Sequence, residues 1–251
     1  MKILFLSGGA REAALEYLLE KGENVVAVIT PHLTNANSRF YSVITTAIKH
    51  GILVVPVTKE NIGFKLAEID YDLFVSCGFP YIIDDEMLKT KLAINVHPTL
   101  LPRYRGFRSG PFQIINGEKE SGVTIHKLTK EMDKGDILAQ QSFPITIFDT
   151  TKSVFRKARE IEPRLLFDVI QKIKTGEVTY TPQDESKSTE YNMLRRPKDS
   201  EIDWEKPLKS LYNEIRACDS IDYPAFFYVE GQKIYVKLWR GDKKEDDYDL
   251  I

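Results

Sequence analysis

An asparagine and a histidine two residues apart are the side chains best equipped for chemistry in this sequence. They are Asn95 and His97, in a short run that ends at Pro98. Side chains two apart on a strand point to the same face, and the proline ends the strand directly after the histidine. An amide that can donate to a developing oxyanion, beside an imidazole that can exchange a proton, suits acyl transfer. A purely structural histidine at a strand end is the alternative.

A carboxylate could join this pair from a charged loop at residues 129–136. The loop contains Asp133 and Asp136, and spacing alone does not distinguish between them. A carboxylate beside an imidazole orients the ring and raises its basicity. The alternative is that both aspartates are solvated loop charges. No serine or cysteine stands in a nucleophile elbow, so the sequence does not suggest a covalent acyl-enzyme.

Neither a metal site nor a disulfide framework is predicted. Cys77 and Cys218 are the only two cysteines, and neither belongs to a C-x-x-C motif. The remaining histidines have no ligand spacing with one another or with the cysteines; they are His32, His50 and His126. The cytoplasm is therefore the expected compartment.

A glycine turn follows the first apolar run and precedes a helical pattern. It consists of Ser7, Gly8 and Gly9. Backbone amides at a helix N-terminus attract anions, which favours a phosphate-binding interpretation. The turn lacks the G-x-G-x-x-G spacing and the lysine of a P-loop. A tight turn explains the glycines equally well, and both interpretations stay open.

Alternating strands and helices are predicted to position these residues. Apolar runs predict strands at residues 2–6, 25–29, 52–55, 73–77 and 92–96, and helical spacing predicts helices at 11–21, 40–50 and 63–69. This alternation predicts an α/β fold with an open, mostly parallel sheet. Ligands of such sheets bind beyond the carboxyl ends of the strands. The glycine turn, residues 76–81 and the stretch after residue 96 all fall there.

The second half of the chain is predicted to be more varied. Strands are expected at 123–127 and 137–144, a helix at 151–175 with a kink or interruption at Pro163, a polar linker at 179–190, a helix at 207–217 and a hairpin at 226–238. We therefore expect a catalytic domain at residues 1–178. Residues 179–251 would form the linker and a small C-terminal α+β module with the hairpin.

Composition excludes several function classes. The 251 residues are 42% hydrophobic and 29% charged, with a net charge of −2. This balance predicts a soluble globular protein without a general attraction to a polyanion, so no nucleic-acid partner is expected. The apolar run at residues 3–6 is far too short for a signal peptide or a membrane span, so no membrane partner is expected either.

Three segments together resemble a known family. Residues 95–106, 122–126 and 132–138, in this order and spacing, look like the formyltransferases that use 10-formyltetrahydrofolate. The resemblance covers about residues 1–175 and implies a Rossmann-like formyltransferase sheet. Residues 191–197, 201–204 and 222–227 are similar to the C-terminal part of sugar-nucleotide N-formyltransferases. Members of that group act on dTDP-linked amino sugars of bacterial surface polysaccharides.

The resemblance implies a role for individual residues. Asn95, His97 and Asp133 match the catalytic residues of the family, which selects Asp133 over Asp136. The folate would lie against two loops that contain Phe79, Pro80, Tyr81, Ile82, Ile83, Thr129, Lys130 and Glu131. The nucleotide-sugar would enter between the glycine turn (Ser7, Gly8 and Gly9) and Tyr104 with Arg105. Guanidinium groups bind two phosphate oxygens at once, so the candidates for the diphosphate are Arg11, Arg105, Arg195 and Arg196.

The expected activity is transfer of a formyl group from 10-formyltetrahydrofolate, without a metal, to the amine of a dTDP-linked amino sugar. The resemblance favours dTDP-4-amino-4,6-dideoxyglucose and a role in O-antigen or lipopolysaccharide synthesis. One alternative is an enzyme like methionyl-tRNA formyltransferase, for which a larger, basic C-terminal domain is expected. Another is a non-catalytic folate-binding relative. The aromatic residues of the hairpin predict packing on the main domain or a homodimer through the C-terminal module.

Overall fold

A computed structural model describes residues 1–32, 41–106, 109–191, 196–218, 223–244 and 250–251. The chain forms two compact units. The first unit comprises Met1–His97, Val123–Gln141 and Arg159–Glu185, and the second comprises Pro98–Gly122, Ser142–Ala158 and Ser186–Ile251. No helix among these residues is both long enough and apolar enough to cross a bilayer.

Seven strands form the main sheet. Their bounds are β1 Lys2–Ser7, β2 Asn24–Pro31, β3 Leu53–Val57, β4 Leu73–Cys77, β5 Leu92–His97, β6 Glu120–Lys127 and β7 Ile137–Pro144. The strand order is β3-β2-β1-β4-β5-β6-β7. The first five strands are parallel, and β6 runs antiparallel to β5. This arrangement confirms the open, mostly parallel α/β sheet, whose central strands are apolar because both faces are covered.

Seven helices accompany the strands within the described residues. They are α1 Glu12–Glu20, α2 Tyr41–Lys49, α3 Ile62–Ala67, α4 Asp85–Thr90, α5 Gly110–Ile115, α6 Thr151–Thr175 and α7 Leu208–Ala217. Of the two alternatives predicted at Pro163, the interruption is wrong, since α6 continues through the proline, and the kink stays a prediction. Leu166, Val169 and Ile170 in the following turns are buried, and this burial outweighs the hydrogen bond that the proline removes.

The carboxyl ends of three neighbouring strands meet at one edge of the sheet. Ser7 at the end of β1 pairs with Cys77 at the end of β4, and Cys77 pairs with Val96 of β5. The turn after β1 and the loop after β4 approach so closely that a Cβ at Gly8 would collide with Pro80 and with the carbonyl oxygen of Gly78. Close packing of these two loops therefore requires the glycine at position 8.

The second unit contains the predicted C-terminal hairpin. Strands β8 Ala225–Val229 and β9 Gln232–Val236 pair antiparallel. Glu230 and Gly231 between them both have positive φ, as a two-residue hairpin turn requires. The inner face of the hairpin packs with α7 in a small core formed by Ile202, Leu211, Ile215, Cys218 and Ala225.

Candidate active site

Asn95 and His97 lie at the carboxyl end of β5, where β6 pairs with it. The antiparallel register places Asn95 opposite His126 and His97 opposite Thr124. His97 is buried and Asn95 is half-buried. The two side chains share one face of the strand, as their spacing predicted.

Asp133 brings a carboxylate to both side chains from the loop between β6 and β7. Its Oδ2 lies 3.6 Å from Nδ1 of His97, and its Oδ1 lies 3.5 Å from Nδ2 of Asn95. The first distance is too long for a hydrogen bond, and the second is at the limit. The structure thus brings the three predicted catalytic residues together.

His126 is a fourth polar side chain of this cluster, and sequence reasoning assigned it no role. Its Nδ1 lies 3.0 Å from the carbonyl oxygen of Lys127, which can only accept, so Nδ1 carries the hydrogen. In the neutral ring Nε2 is then an acceptor, and it receives a hydrogen bond of 3.1 Å from Nδ2 of Asn95. Because Asp133 Oδ1 is also an acceptor, the amide of Asn95 presents its donor end to the cluster.

The loop that carries Asp133 is closed at its base by backbone hydrogen bonds. The N–H of Lys127 donates to the carbonyl of Asp136, and the N–H of Leu128 donates to the carbonyl of Ala93. Gly135 passes so close to Lys127 that a Cβ would collide with its carbonyl oxygen. Asp133 itself has φ of +55°, which is uncommon outside glycine. The carboxylate therefore projects from a tightly folded turn.

Arg11, a predicted diphosphate ligand, pairs with a carboxylate inside the first unit. Its Nε lies 3.0 Å from Oε2 of Glu162 on α6, and the side chains are 11% and 2% exposed. Burial raises the pKa of Glu162, while the positive charge of Arg11 opposes that rise. His97 also interacts electrostatically with Glu162. A buried acid with a raised pKa thus stands in the first unit, and nothing in the local sequence signals it.

The residues predicted to hold the folate fall into two groups. Phe79, Tyr81 and Ile83 pack against the core of the first unit, together with Leu128. Ile82 between them is 71% exposed. Of the remaining predicted folate residues, Pro80, Lys130 and Glu131 are exposed and Thr129 is half-buried. The first loop therefore has an apolar base packed on the core and one apolar side chain exposed to solvent.

The other residues predicted to bind the substrate differ in accessibility. Ser7 is buried, and its hydroxyl donates to the carbonyl of Gly9 over 3.1 Å. In the second unit, Tyr104 is buried and stacks on Tyr191 at a centroid distance of 5.4 Å. Burial and the Glu118 carboxylate raise the pKa of Tyr104 to about 12.

The remaining predicted arginines also differ. Arg105 is only 1% exposed, and its backbone N–H and carbonyl bond to Thr189 and Tyr191. Arg196 is exposed, while Arg195 lies outside the described residues. Their predicted role at the diphosphate stays a prediction.

No group of three or more His, Cys, Asp or Glu side chains in the described part of the chain is arranged to hold a metal ion. Cys77 and Cys218 are buried free thiols. Burial raises the pKa of Cys77, which keeps its thiol protonated and unreactive. The arrangement around Asn95 instead offers an amide donor, an imidazole and a carboxylate, the set that acyl transfer uses.

Comparison with known proteins identifies the family. The formyl transferase family model matches residues 1–170, and the model of the formyl transferase C-terminal domain matches residues 195–249. This chain belongs to the formyl transferase family. The methionyl-tRNA formyltransferase of Enterococcus faecalis is 36% identical over 225 residues, which are 86% of this chain and 72% of that protein. The chain is thus a formyltransferase that shares the catalytic fold of the family.

Solved structures of sugar N-formyltransferases have the same fold. A sugar N-formyltransferase from Shewanella matches 97% of this chain and 99% of its own, with 23% identity and a TM-score of 0.78. A 4-N formyltransferase from Francisella tularensis matches 94% and 96%, with 25% identity and the same TM-score. An N-formyltransferase from Helicobacter canadensis, solved with folinic acid and dTDP-3-aminofucose, matches 93% and 85%, with 24% identity and a TM-score of 0.73.

Proposed function

We propose that this formyltransferase moves the formyl group of 10-formyltetrahydrofolate to the amine of a nucleotide-linked amino sugar. The alternative is the methionyl-tRNA that the Enterococcus faecalis relative is named for. The net charge of residues 179–251 favours the amino sugar as acceptor. This segment contains 12 Lys and Arg against 16 Asp and Glu, a net charge of −4. A segment that bound tRNA would need clustered positive charge to neutralise the phosphates of the RNA.

The donor set at the end of β5 fits a folate-borne formyl group. Formyl transfer develops negative charge on the formyl oxygen and releases a proton from the attacking amine. The amide nitrogen of Asn95 faces the cluster with its two hydrogens. One is directed at His126, and the other has only the long contact of 3.5 Å between Nδ2 and Oδ1 of Asp133. That N–H is the donor best placed for redirection to an oxyanion. When bound, 10-formyltetrahydrofolate would supply the activated formyl group.

The protein's own side chains then have distinct tasks in the proposal. His97 accepts the proton that the amine loses as the amine bonds to the formyl carbon. It returns that proton to the folate nitrogen as the bond between this nitrogen and the formyl carbon breaks, which requires an imidazole that is neutral at the start. Asp133 holds the ring of His97 and stabilises it once it is protonated. His126 keeps the donor end of the Asn95 amide turned toward the cluster. Phe79, Tyr81 and the exposed Ile82 would contact the folate.

The proposed sugar substrate carries thymidine diphosphate, and dTDP-4-amino-4,6-dideoxyglucose is the specific candidate. Support comes from the Francisella tularensis neighbour, which is described as a 4-N formyltransferase, and from the Helicobacter canadensis neighbour, which holds a dTDP-linked amino sugar. The product would be used in O-antigen or lipopolysaccharide synthesis. The proposed compartment is the cytoplasm, in keeping with the two buried free thiols.

A substrate panel tests the choice of acceptor. The purified protein is incubated with 10-formyltetrahydrofolate and dTDP- or UDP-linked sugars that carry the amine at carbon 3 or carbon 4. Mass spectrometry should detect the mass gain of a formyl group on a dTDP-linked 4-amino sugar. Methionyl-tRNA is included as the competing acceptor. Formylation of methionyl-tRNA, with no gain on any sugar, would overturn the proposal.

Substitutions at the cluster test the residue assignment. Asn95→Ala should lower kcat by about 10²–10³-fold because it removes an oxyanion donor, while the Kd for folinic acid stays unchanged. Asn24→Ala, at the exposed start of β2, is the control and should leave kcat unchanged. Within the loop, Asp133→Asn should lower kcat by about 10²-fold or more, and Asp136→Asn should not. Equal rates for both asparagine variants would refute the role given to Asp133.

We also propose a homodimer formed through the hairpin. Tyr228 and Tyr235 are exposed on its outer face, and Ile234 is exposed on its inner face. Exposed aromatic residues on a two-stranded sheet gain stability when a partner covers them. Light scattering should give the mass of a dimer, and Tyr235→Arg should convert it to a monomer. A wild-type monomer at micromolar concentration would refute this part of the proposal.

A further inference from the structure

Gln183 makes two hydrogen bonds to the turn that carries Asp133. Its side-chain nitrogen donates to the carbonyl oxygen of Asp133 over 2.8 Å and to that of Gly135 over 2.7 Å. The sequence had placed Gln183 in a polar linker. In the structure, Thr181 exchanges backbone hydrogen bonds of 2.8 and 2.9 Å with Ile137 at the start of β7. The glutamine therefore extends from a segment that the sheet fixes in place.

The chemistry of this contact is specific to a primary amide. Both partners are carbonyl oxygens, so the group that faces them must supply two hydrogens. The end of the Gln183 amide that faces them is therefore the nitrogen. A glutamate of the same size would direct an oxygen at two oxygens. An asparagine would be one methylene too short to reach both while its backbone stays paired. Gln183 is thus matched to these two acceptors in donor number and in length.

The turn needs support from outside because its own geometry is strained. The backbone of Asp133 has positive φ, and a residue held in that region persists only where its surroundings determine it. Within the turn, the N–H of Lys134 donates to Glu131 over a long 3.4 Å. The two bonds from Gln183 are shorter, and they hold the carbonyls at Asp133 and two residues beyond it. They restrain the peptide planes that determine where the Asp133 carboxylate points.

We propose that Gln183 is a positioning residue for Asp133, holding the strained turn so that the carboxylate faces His97 and Asn95. This inference rests on the proposed catalytic role of Asp133. Misplacement of a catalytic group by about 1 Å can cost about 10²-fold in rate. Loss of the two bonds should therefore lower kcat by about 10- to 100-fold. KM for the sugar nucleotide should stay within about twofold, because Gln183 acts on the turn and not on the substrate.

The test uses the isosteric variant Gln183→Glu and a matched control. Gln141→Glu makes the same change at an exposed position of β7 and should leave kcat unchanged. Gln183→Met removes the donors without adding charge, and it serves if the glutamate variant does not fold. Circular dichroism and the thermal midpoint establish that each variant is folded. The kinetic substrate is the sugar nucleotide accepted in the panel above.

A double-mutant cycle separates positioning from a general structural role. Gln183→Glu should slow the wild type 10- to 100-fold but slow the Asp133→Asn variant less than threefold, because the group it positions is then disabled. Equal slowing in both backgrounds would overturn the inference, as would a wild-type rate for Gln183→Glu. If Asp133→Asn alone keeps the wild-type rate, the proposed role of Asp133 fails instead, and the inference fails with it.

Discussion

The buried pair of Arg11 and Glu162 gives the sharpest stability prediction. Its side chains are 3.0 Å apart and almost fully buried, and Oε1 of Glu162 has no hydrogen-bond partner among the described residues. Arg11→Met removes the charge but keeps most of the side-chain volume. Breaking a buried pair costs about 3–5 kcal/mol where the remaining charge is left uncompensated, and the lower end applies here because Arg159 still offsets part of the Glu162 charge. We expect a loss of about 3 kcal/mol in the free energy of unfolding at pH 7.

This loss should depend on pH. Burial raises the pKa of Glu162 above its ordinary value of 4.5, and removing Arg11 raises it further. Between the unfolded and the folded pKa, the folded state holds a proton that the unfolded state lacks. The stability of the variant therefore falls as pH rises through this window, by about 1.4 kcal/mol per pH unit. Below the ordinary pKa both states are protonated, and the charge penalty disappears.

Urea unfolding followed by circular dichroism at pH 5, 6, 7 and 8 measures the effect. The double variant Arg11→Met with Glu162→Met should recover wild-type stability to within about 1 kcal/mol and lose the pH dependence. Arg164→Met is the control on the same helix, because its ion pair with Asp168 is exposed and contributes little. An Arg11→Met variant that is equally destabilised at pH 5 and pH 8 would refute the reasoning.

The same variants test the predicted contact between Arg11 and the diphosphate. If Arg11 binds the substrate, KM for the sugar nucleotide rises in both the single and the double variant. If the ion pair is its main task, the double variant recovers KM together with stability. Steady-state kinetics on the accepted sugar nucleotide therefore separate the two roles.

Two further predictions follow from close packing. Gly135→Ala should lower kcat at least 10-fold in a formyl-transfer assay, because a Cβ there collides with the carbonyl oxygen of Lys127 and displaces the Asp133 turn. Gly241→Ala is the control, because a Cβ at Gly241 meets open space. Equal rates for the two variants would contradict the prediction. Cys77, isolated in a Cys218→Ser background, should react with a thiol reagent at pH 8 only after unfolding in guanidinium, since burial raises its pKa. Rapid labelling of the folded protein would contradict it.

The sequence predicted those features that depend on local pattern. Continuous apolar runs mark strands covered on both faces, so the strands of the parallel sheet could be predicted from them, whereas the short helices α4 and α5 were not predicted. A period of two placed Asn95 and His97 on one face of β5. The helix at 151–175 was also correct in its bounds, although packing overrides the predicted interruption at Pro163.

The tertiary structure decided which distant residues complete the cluster. His126 lies opposite Asn95 only because β6 pairs with β5 in one particular register, which a strand pattern does not specify. Gln183 reaches the Asp133 turn because its segment pairs with the start of β7. Glu162 meets Arg11 from 151 positions away. Local sequence sets the direction of a side chain, but its partner depends on how strands pair and helices pack, which long-range burial determines.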